Sequence, residues 1–229
     1  MANPVTTLPP ASRSVVVAGA SGLVGRCLVE QLCADPSVSV VHALVRRPLT
    51  ETHPKLQVHV VDFTALPALP PVDEVYLSLG TTIKIAGSQP AFRAVDFDAN
   101  LAVARAAQTA GARRAGVVSA MGANAKSGVF YSRIKGELED ALAALGFDAL
   151  VIARPSMLRG DRAVLGQPVR AGELRWARLD ALLRPLIPAS YRAIDAADVA
   201  AALRRHVPMA QGRVLLPSGA MQGANTSGA

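Results

Sequence analysis

Residues 14–25 read SVVVAGASGLVG, and this stretch decides the fold. A short β-branched run leads into glycines at positions 19, 22 and 25 and then into an apolar, helix-like segment. In such units the first glycine makes a tight turn, the second lets the backbone approach a pyrophosphate, and the third lets the helix pack on the strand. The helix N-terminus then faces the phosphates with free N–H groups. A glycine turn without a ligand is the alternative.

Length and composition fit one α/β domain. The chain has 229 residues, of which 51% are hydrophobic and 4% aromatic, so the core must be built from Ala, Val and Leu. No apolar run reaches the ~18 residues of a membrane helix, so no membrane partner is expected. Residues 1–13 lack an apolar signal core and are predicted to be a flexible tail. A cytoplasmic location is therefore expected, with Cys27 and Cys33 as free thiols.

The net charge of +7 comes mostly from arginine. The arginines are dispersed and have no interleaved aromatic residues, so no nucleic-acid partner is expected. Attraction to an anionic cofactor is a sufficient reason for the sign of the charge. The four histidines form no cluster with the spacing of metal ligands, so no metal site is expected.

Short apolar segments alternate with helical patterns along the chain. The predicted strands are Val15–Ala18, Ser39–Val45, Leu56–Val61, Glu74–Leu79, Ala115–Ser119, Asp148–Ala153 and Arg213–Leu216. The predicted helices are Leu23–Ala34, Ala91–Ala110, Val129–Leu145 and Asp195–His206. This alternation predicts an α/β fold with a Rossmann-type doubly wound parallel sheet, whose ligand lies beyond the carboxyl ends of the strands.

The predicted organisation is a Rossmann domain at 14–155, then a small substrate cap with the last sheet elements at 156–218, and a flexible tail at 219–229. The segment 156–195 is expected to shape the pocket for a small-molecule substrate. It contains Arg159, Arg162, Arg170, Arg175, Trp176 and Arg178. These side chains favour an anionic or aromatic substrate, or else they form dimer or surface contacts.

Two arginines stand where many NAD-binding folds carry an acidic residue. That residue follows the glycines by about 20 positions and binds the adenosine ribose. Here the second predicted strand ends in Arg46 and Arg47. Guanidinium groups bind a 2′-phosphate that a carboxylate would repel, so the sequence predicts NADP(H) in preference to NAD(H). Solvated arginines at a strand end are the alternative.

The ends of the third and fourth predicted strands carry further candidates for cofactor binding. Asp62 could accept a hydrogen bond from adenine with Phe63 beside the ring, or Asp62 could simply begin a turn. Leu79, Gly80 and Thr81 leave the fourth strand beside the glycine loop. Gly80 permits close backbone approach to a cofactor, although an ordinary glycine turn would have the same sequence.

Tyr131 and Lys135 lie four positions apart on a predicted helix and share one face. A nearby ammonium favours the phenolate form of a tyrosine, which can then exchange a proton with a carbonyl or alcohol oxygen. Ser119 ends a strand twelve residues earlier, where its hydroxyl could hold the same oxygen. A surface tyrosine with a solvated lysine is the alternative.

Two features of the helices point to close packing. Gly136 costs a helix about 1 kcal/mol relative to alanine, which predicts close approach of another helix or of the cofactor. The helix Ala91–Ala110 is apolar nearly all round and so needs cover on two sides. A homodimer formed through this helix and Val129–Leu145 is the resulting hypothesis.

The motifs GASGLVG, LGTT, SAMGANAKSGVFYSRIKGELE and RPSML, together with the basic end of the second strand, resemble the short-chain dehydrogenase/reductase superfamily. More narrowly, they resemble its atypical branch, which includes the Tat-interacting-protein-like and bacterial epimerase/dehydratase-like proteins, over about residues 14–200. The resemblance implies pyrophosphate contacts from Gly19, Ser21, Gly22, Leu23 and Val24, 2′-phosphate contacts from Arg46 and Arg47, and adenosine contacts from Leu79 and Gly80. It implies a catalytic triad of Ser119, Tyr131 and Lys135, with Lys135 also on the nicotinamide ribose, Pro155 near the nicotinamide and Asn100 as a fourth catalytic residue.

Together these features predict an NADPH-dependent oxidoreductase that transfers a hydride between NADP(H) and a small carbonyl or alcohol, with Tyr131 as acid/base. Two alternatives stay open at this point. One is a non-catalytic sensor or regulatory protein that binds NADPH. The other is an epimerase or dehydratase that uses the same triad and holds its cofactor tightly.

Overall fold

The computed structural model describes residues 12–159 and 192–226. Its strands are β1 (Arg13–Ala18), β2 (Val38–Val45), β3 (Leu56–Val60), β4 (Glu74–Leu77), β5 (Arg114–Val118), β6 (Ala149–Arg154), β7 (Leu158–Arg159), β8 (Ile194–Asp195) and β9 (Gly212–Pro217). Its helices are α1 (Leu23–Ala34), α2 (Ile83–Ala86), α3 (Gln89–Arg93), α4 (Asn100–Thr109), α5 (Phe130–Ala143), α6 (Ala196–His206) and α7 (Ser218–Met221). A π-helical segment, Ala94–Ala99, joins α3 to α4.

The central sheet has seven strands in the order β3-β2-β1-β4-β5-β6-β9. Every pairing in it is parallel. The strand order reverses between β1 and β4, and in sheets of this kind the ligand site lies outside the carboxyl ends of the strands at that point. This confirms the predicted doubly wound, Rossmann-type architecture. It also brings the chain after β4 beside the glycine loop, as predicted.

Helices cover both faces of the sheet. Val15 and Val17 of β1 point to a cluster that contains residues of α1 and α6, and the alternate residues Val16 and Ala18 point to a cluster with residues of α4 and α5. Successive strand residues face opposite sides, so a continuous apolar run is what a sheet covered on both faces requires. The predicted helix Leu23–Ala34 agrees with α1, and most other predicted boundaries shift by one or two residues.

The long helix predicted at Ala91–Ala110 is wrong as one continuous α-helix. The chain instead passes through α3, the π-helical segment and α4. The π-helical turn is wider than an α-helical one, and it contains the buried residues Asp96 and Ala99. The outer side of the neighbouring α5 carries Glu137, which pairs with Arg93 at 2.5 Å. Whether two copies of the chain pair through α4 and α5 stays a prediction.

Residues 219–226, which fall in the predicted flexible tail at 219–229, make defined contacts in the structure. Met221 at the end of α7 is fully buried, because it packs in the cluster beneath α6. The backbone N–H groups of Gly223 and Asn225 donate to the Asp198 carboxylate at 3.1 and 2.9 Å. The Met221 side chain and the Asp198 carboxylate thus hold this segment of small and polar residues against α6.

Much of the predicted substrate cap lies outside the described residues. This holds for residues 160–191, including Arg162, Arg170, Arg175, Trp176 and Arg178. Across 12–159 and 192–226, no helix combines the length and apolarity that a membrane span requires.

Candidate functional site

The glycine loop joins β1 to α1 at the point where the strand order reverses. Gly19 has a φ of +84°, a left-handed conformation that favours glycine. A Cβ atom on Gly19 would lie 2.6 Å from the Ser78 carbonyl oxygen, and one on Gly25 would lie 2.0 Å from the Gly19 carbonyl oxygen. Both glycines are therefore required by the close approach of α1, the loop and the end of β4.

The N-terminus of α1 has features that suit an anion. Its N-cap is Gly22, which offers no side-chain hydrogen bond, and the first turn contains no acidic residue. The first N–H groups of a helix have no partner inside the helix, so they can bind phosphate oxygens. Ser21 is exposed and Leu23 half-buried, whereas the Val24 side chain is buried and leaves only its backbone for a ligand. The residues present fit a dinucleotide pyrophosphate.

Arg46 and Arg47 follow β2, next to the glycine loop, where the Gly19 N–H donates to the Leu44 carbonyl at 3.4 Å. Both arginines are exposed, and neither has a hydrogen bond or an ion pair within the described part of the chain. The nearby Glu51 pairs with Arg26 of α1. The two guanidinium groups are thus available to an anionic ligand.

Asp62 and Phe63 both have internal roles. The Asp62 carboxylate accepts hydrogen bonds from the Thr64 N–H and hydroxyl, each at 2.8 Å, so it begins a turn. The hydrogen bond from the Thr64 N–H is the main cause that lowers the pKa of Asp62. The half-buried Phe63 packs against the apolar cluster on the α4 and α5 side of the sheet. An adenine contact from this pair stays a prediction.

The chain leaving β4 is held by side chains from the π-helical segment and α4. The Thr81 N–H donates to Asp96 Oδ2 at 2.8 Å, and Asn100 Nδ2 donates to the Leu79 carbonyl at 3.1 Å. Gly80 is exposed, with its Cβ position 3.6 Å from Asp96 Oδ1. Hydrogen bonds to Asp96 and Asn100 therefore fix the position of the loop that the sequence predicts to bind the cofactor.

Tyr131 and Lys135 differ sharply in environment. Tyr131 lies in the first turn of α5, is 37% exposed, and packs its ring 5.6 Å from that of Phe92, centroid to centroid. Lys135 is only 5% exposed, and its Nζ lies 2.8 Å from Asp96 Oδ1. The Tyr131 side chain is thus accessible to a ligand, whereas the Lys135 side chain is buried.

The structure does not bring Ser119 together with Tyr131 through a hydrogen bond. The Ser119 hydroxyl donates instead to Glu139 Oε1 at 2.5 Å. Glu139 is 1% exposed and also accepts hydrogen bonds from Arg154, at 3.0 and 2.6 Å, and from Arg213, at 3.3 Å. A buried carboxylate needs such donors, and the hydrogen bonding to Glu139 raises the pKa of Arg154.

Replacing Ser119 by alanine tests whether its hydroxyl serves to hold the buried Glu139 carboxylate. The variant is expected to lose about 1–2 kcal/mol of unfolding free energy, because Glu139 loses one of its buried donors. Turnover by the folded variant should remain close to wild type. Ser132→Ala is the matched control, since the Ser132 hydroxyl has no hydrogen bond in the described region. Thermal melts and turnover measurements on both variants distinguish the two roles, since a large loss of turnover without a loss of stability would support the predicted place of Ser119 in a catalytic triad.

Close packing explains Gly136. A Cβ atom there would lie 2.1 Å from the Ala125 nitrogen, so the contact is with the backbone of the loop that follows β5. The same loop is tied to the end of β6, where the Met121 N–H donates to the carbonyl of the buried Pro155 at 2.9 Å. These contacts fix the loop that leads into α5 and Tyr131.

The sequence analysis gave no role to Asp96 and Glu139. Signals for both were present. Asp96 and Asn100 are polar residues four positions apart in an alanine-rich helical pattern, and Glu139 follows Lys135 by four positions on α5. Polar residues at helical spacing on a face expected to be buried indicate paired groups.

A doubly wound parallel sheet with an open glycine loop at its switch point defines a dinucleotide-binding α/β protein. A family model described as NAD(P)H-binding matches residues 19–177. The chain belongs to this NAD(P)H-binding family.

The chain is also similar to curated proteins in sequence and to solved structures in fold. The chain is 34% identical over 205 residues to "Protein FMP52, mitochondrial" of Candida albicans, covering 81% of this chain and 84% of that protein. It is 36% identical over 158 residues to "Protein fmp52-1, mitochondrial" of Aspergillus terreus, covering 65% and 68%. The enzyme WbmH of Bordetella bronchiseptica, solved with NAD+, shares the fold at a TM-score of 0.67 with 16% identity, covering 90% and 76%. A short-chain dehydrogenase family protein of Francisella tularensis gives a TM-score of 0.66 with 13% identity, covering 95% and 100%.

These comparisons correct the predicted cellular location and support the coarser part of the predicted family resemblance. The predicted cytoplasmic location is wrong, because fungal relatives at 34–36% identity are named mitochondrial proteins. The NAD(P)-binding, short-chain dehydrogenase-like fold is supported. The curated relatives quoted above are fungal FMP52 proteins, and membership of the Tat-interacting-protein-like branch stays a prediction.

Proposed function

We propose that this protein is an NADPH-dependent oxidoreductase that transfers a hydride between NADP(H) and a small carbonyl or alcohol. One observation carries the proposal: an exposed tyrosine stands one helical turn before a buried lysine, beside the loop that leaves β4. The Asp96 carboxylate links that lysine to the loop. A general acid and a dinucleotide site then share one edge of the sheet.

Each part of the site has a distinct role in this proposal. The bound nicotinamide supplies or accepts the hydride. The N-terminus of α1 binds the pyrophosphate through backbone N–H groups. Tyr131 protonates the carbonyl oxygen in reduction, or takes the alcohol proton in oxidation. Lys135 carries a positive charge next to the cofactor ribose. That charge favours the phenolate form of Tyr131 after the tyrosine has given its proton to the substrate.

Preference for NADPH over NADH is tested by titrating the protein with each reduced nucleotide and following nicotinamide fluorescence. NADPH is expected to bind at least tenfold more tightly, about 1.4 kcal/mol. The double variant Arg46→Ala/Arg47→Ala should lose that preference with little change in NADH affinity, because it removes only the 2′-phosphate ligands. Arg105→Ala, which removes an exposed charge from α4, is the control. Equal binding of both nucleotides by the wild-type protein would contradict the NADP assignment, and binding of neither would contradict the proposed function.

A non-catalytic NADPH-binding regulatory protein is the second candidate, and one observation favours it. The Ser119 hydroxyl donates its proton to Glu139, so that proton is not available to a substrate oxygen beside Tyr131. In this case NADPH would bind, a broad panel of aldehydes, ketones and alcohols would give no turnover, and a binding partner would be retained only with NADPH present. Turnover of any panel member that depends on Tyr131 would contradict the regulatory function.

A further inference from the structure

Asp96 lies at the centre of the candidate site and touches two of its parts. Its side chain is 1% exposed. Oδ1 lies 2.8 Å from Lys135 Nζ, and Oδ2 accepts the Thr81 N–H at 2.8 Å. One buried carboxylate therefore joins α5 to the loop after β4.

The backbone around Asp96 is built to hold this position. Asp96 lies in the π-helical segment, whose wider turn interrupts the regular i→i−4 hydrogen bonding of an α-helix. The buried Asn100 donates from Nδ2 to the carbonyls of Leu79, Val95 and Asp96, at 3.1, 3.3 and 3.1 Å. The same amide thus serves the irregular turn and the loop after β4. Irregular helical turns of this kind are frequent at functional sites.

We propose that Asp96 is a positioning residue of the cofactor site, which fixes the Lys135 ammonium and the Thr81 backbone in one arrangement. The inference rests on the proposed function, in which Lys135 lies next to the cofactor ribose and the loop after β4 lies beside the dinucleotide. A lysine has a long flexible side chain, and a carboxylate at 2.8 Å selects one position for its charge. The same carboxylate supplies the counter-charge that a buried ammonium needs to remain charged.

The first test compares Asp96→Asn with Asp98→Asn. Asp98 is exposed in the same π-helical segment, so its variant makes the same chemical change outside the site. Asp96→Asn is expected to raise the Kd for NADPH at least about fivefold, whereas Asp98→Asn should leave it unchanged.

Binding by the folded variants separates positioning from structural support. A merely structural carboxylate would lower the melting temperature of Asp96→Asn without weakening NADPH binding by the folded protein. If Asp96→Asn does not fold, Asp96→Glu keeps the charge but moves it by one methylene. Asp96→Glu is expected to bind NADPH more weakly than the wild type. Wild-type affinity in either folded variant would overturn the inference.

The second test needs no cofactor. Hydrogen exchange of the Thr81 amide is expected to be at least about tenfold faster in Asp96→Asn than in the wild type, after correction for global stability, and unchanged in Asp98→Asn. Unchanged exchange at Thr81 would overturn the link between Asp96 and the loop. If the wild-type protein bound neither nucleotide, the proposed function would fail, and this exchange measurement alone would still decide whether Asp96 fixes the loop.

Discussion

Replacement of Tyr131 by phenylalanine is expected to lower kcat about 100- to 10,000-fold, the range that one positioned general acid contributes. NADPH affinity should be unchanged, because the variant leaves the glycine loop, Arg46 and Arg47 intact. Stability should also change by less than about 0.5 kcal/mol. The Tyr131 hydroxyl has no hydrogen bond within residues 12–159 and 192–226, and the ring contact with Phe92 is kept.

The measurement pairs single-turnover kinetics with nucleotide titration on the same preparation. Ser132→Ala removes a hydroxyl from the next position on α5 and is expected to behave as the wild type. Full activity in Tyr131→Phe would show that another group, or water, carries the proton. Loss of NADPH binding together with activity would show that Tyr131 serves cofactor binding rather than proton transfer.

The elements that position the site could be predicted because their signals are local. The apolar run before Gly19 and the glycine spacing define β1 and the start of α1, and both agree with the structure. The apolar runs of the other strands fixed the parallel order once right-handed crossovers were assumed. The loop after β4 could be placed beside the glycine loop for the same reason.

The polar interior of the site could not be predicted, because it depends on contacts between distant segments. Glu139 is bound by Ser119, by Arg154 and by Arg213, which is 74 positions away. Nothing near Ser119 in the sequence distinguishes a hydroxyl that serves a buried carboxylate from one that faces a ligand. The π-helical turn likewise places Asp96 against Lys135 of another helix, whereas the alanine-rich composition around it favours an ordinary α-helix.

Gly25→Ala is expected to lower the free energy of unfolding by about 3 kcal/mol, although alanine is favoured over glycine inside a helix by about 1 kcal/mol. The reason is geometric. The new Cβ would lie 2.0 Å from the Gly19 carbonyl oxygen and 2.9 Å from Ser78 Oγ, so α1 must move away from the loop. Gly128→Ala is the control, because no atom of the described residues, apart from its chain neighbours, lies within 4 Å of its Cβ position. Chemical denaturation of both variants measures the difference.

Gly22→Ala is expected to cause a small loss of stability and a large loss of NADPH affinity. Its φ of −82° is open to any residue, and its Cβ would lie 3.2 Å from the Gly19 carbonyl oxygen, so the stability loss should stay near 1 kcal/mol. The methyl group would, however, stand at the N-terminus of α1, where phosphate oxygens must approach the backbone. NADPH affinity is therefore expected to fall at least about tenfold. If the Gly22→Ala variant binds NADPH as tightly as the wild type does, the pyrophosphate is bound elsewhere. The stability measured for Gly25→Ala does not affect this conclusion.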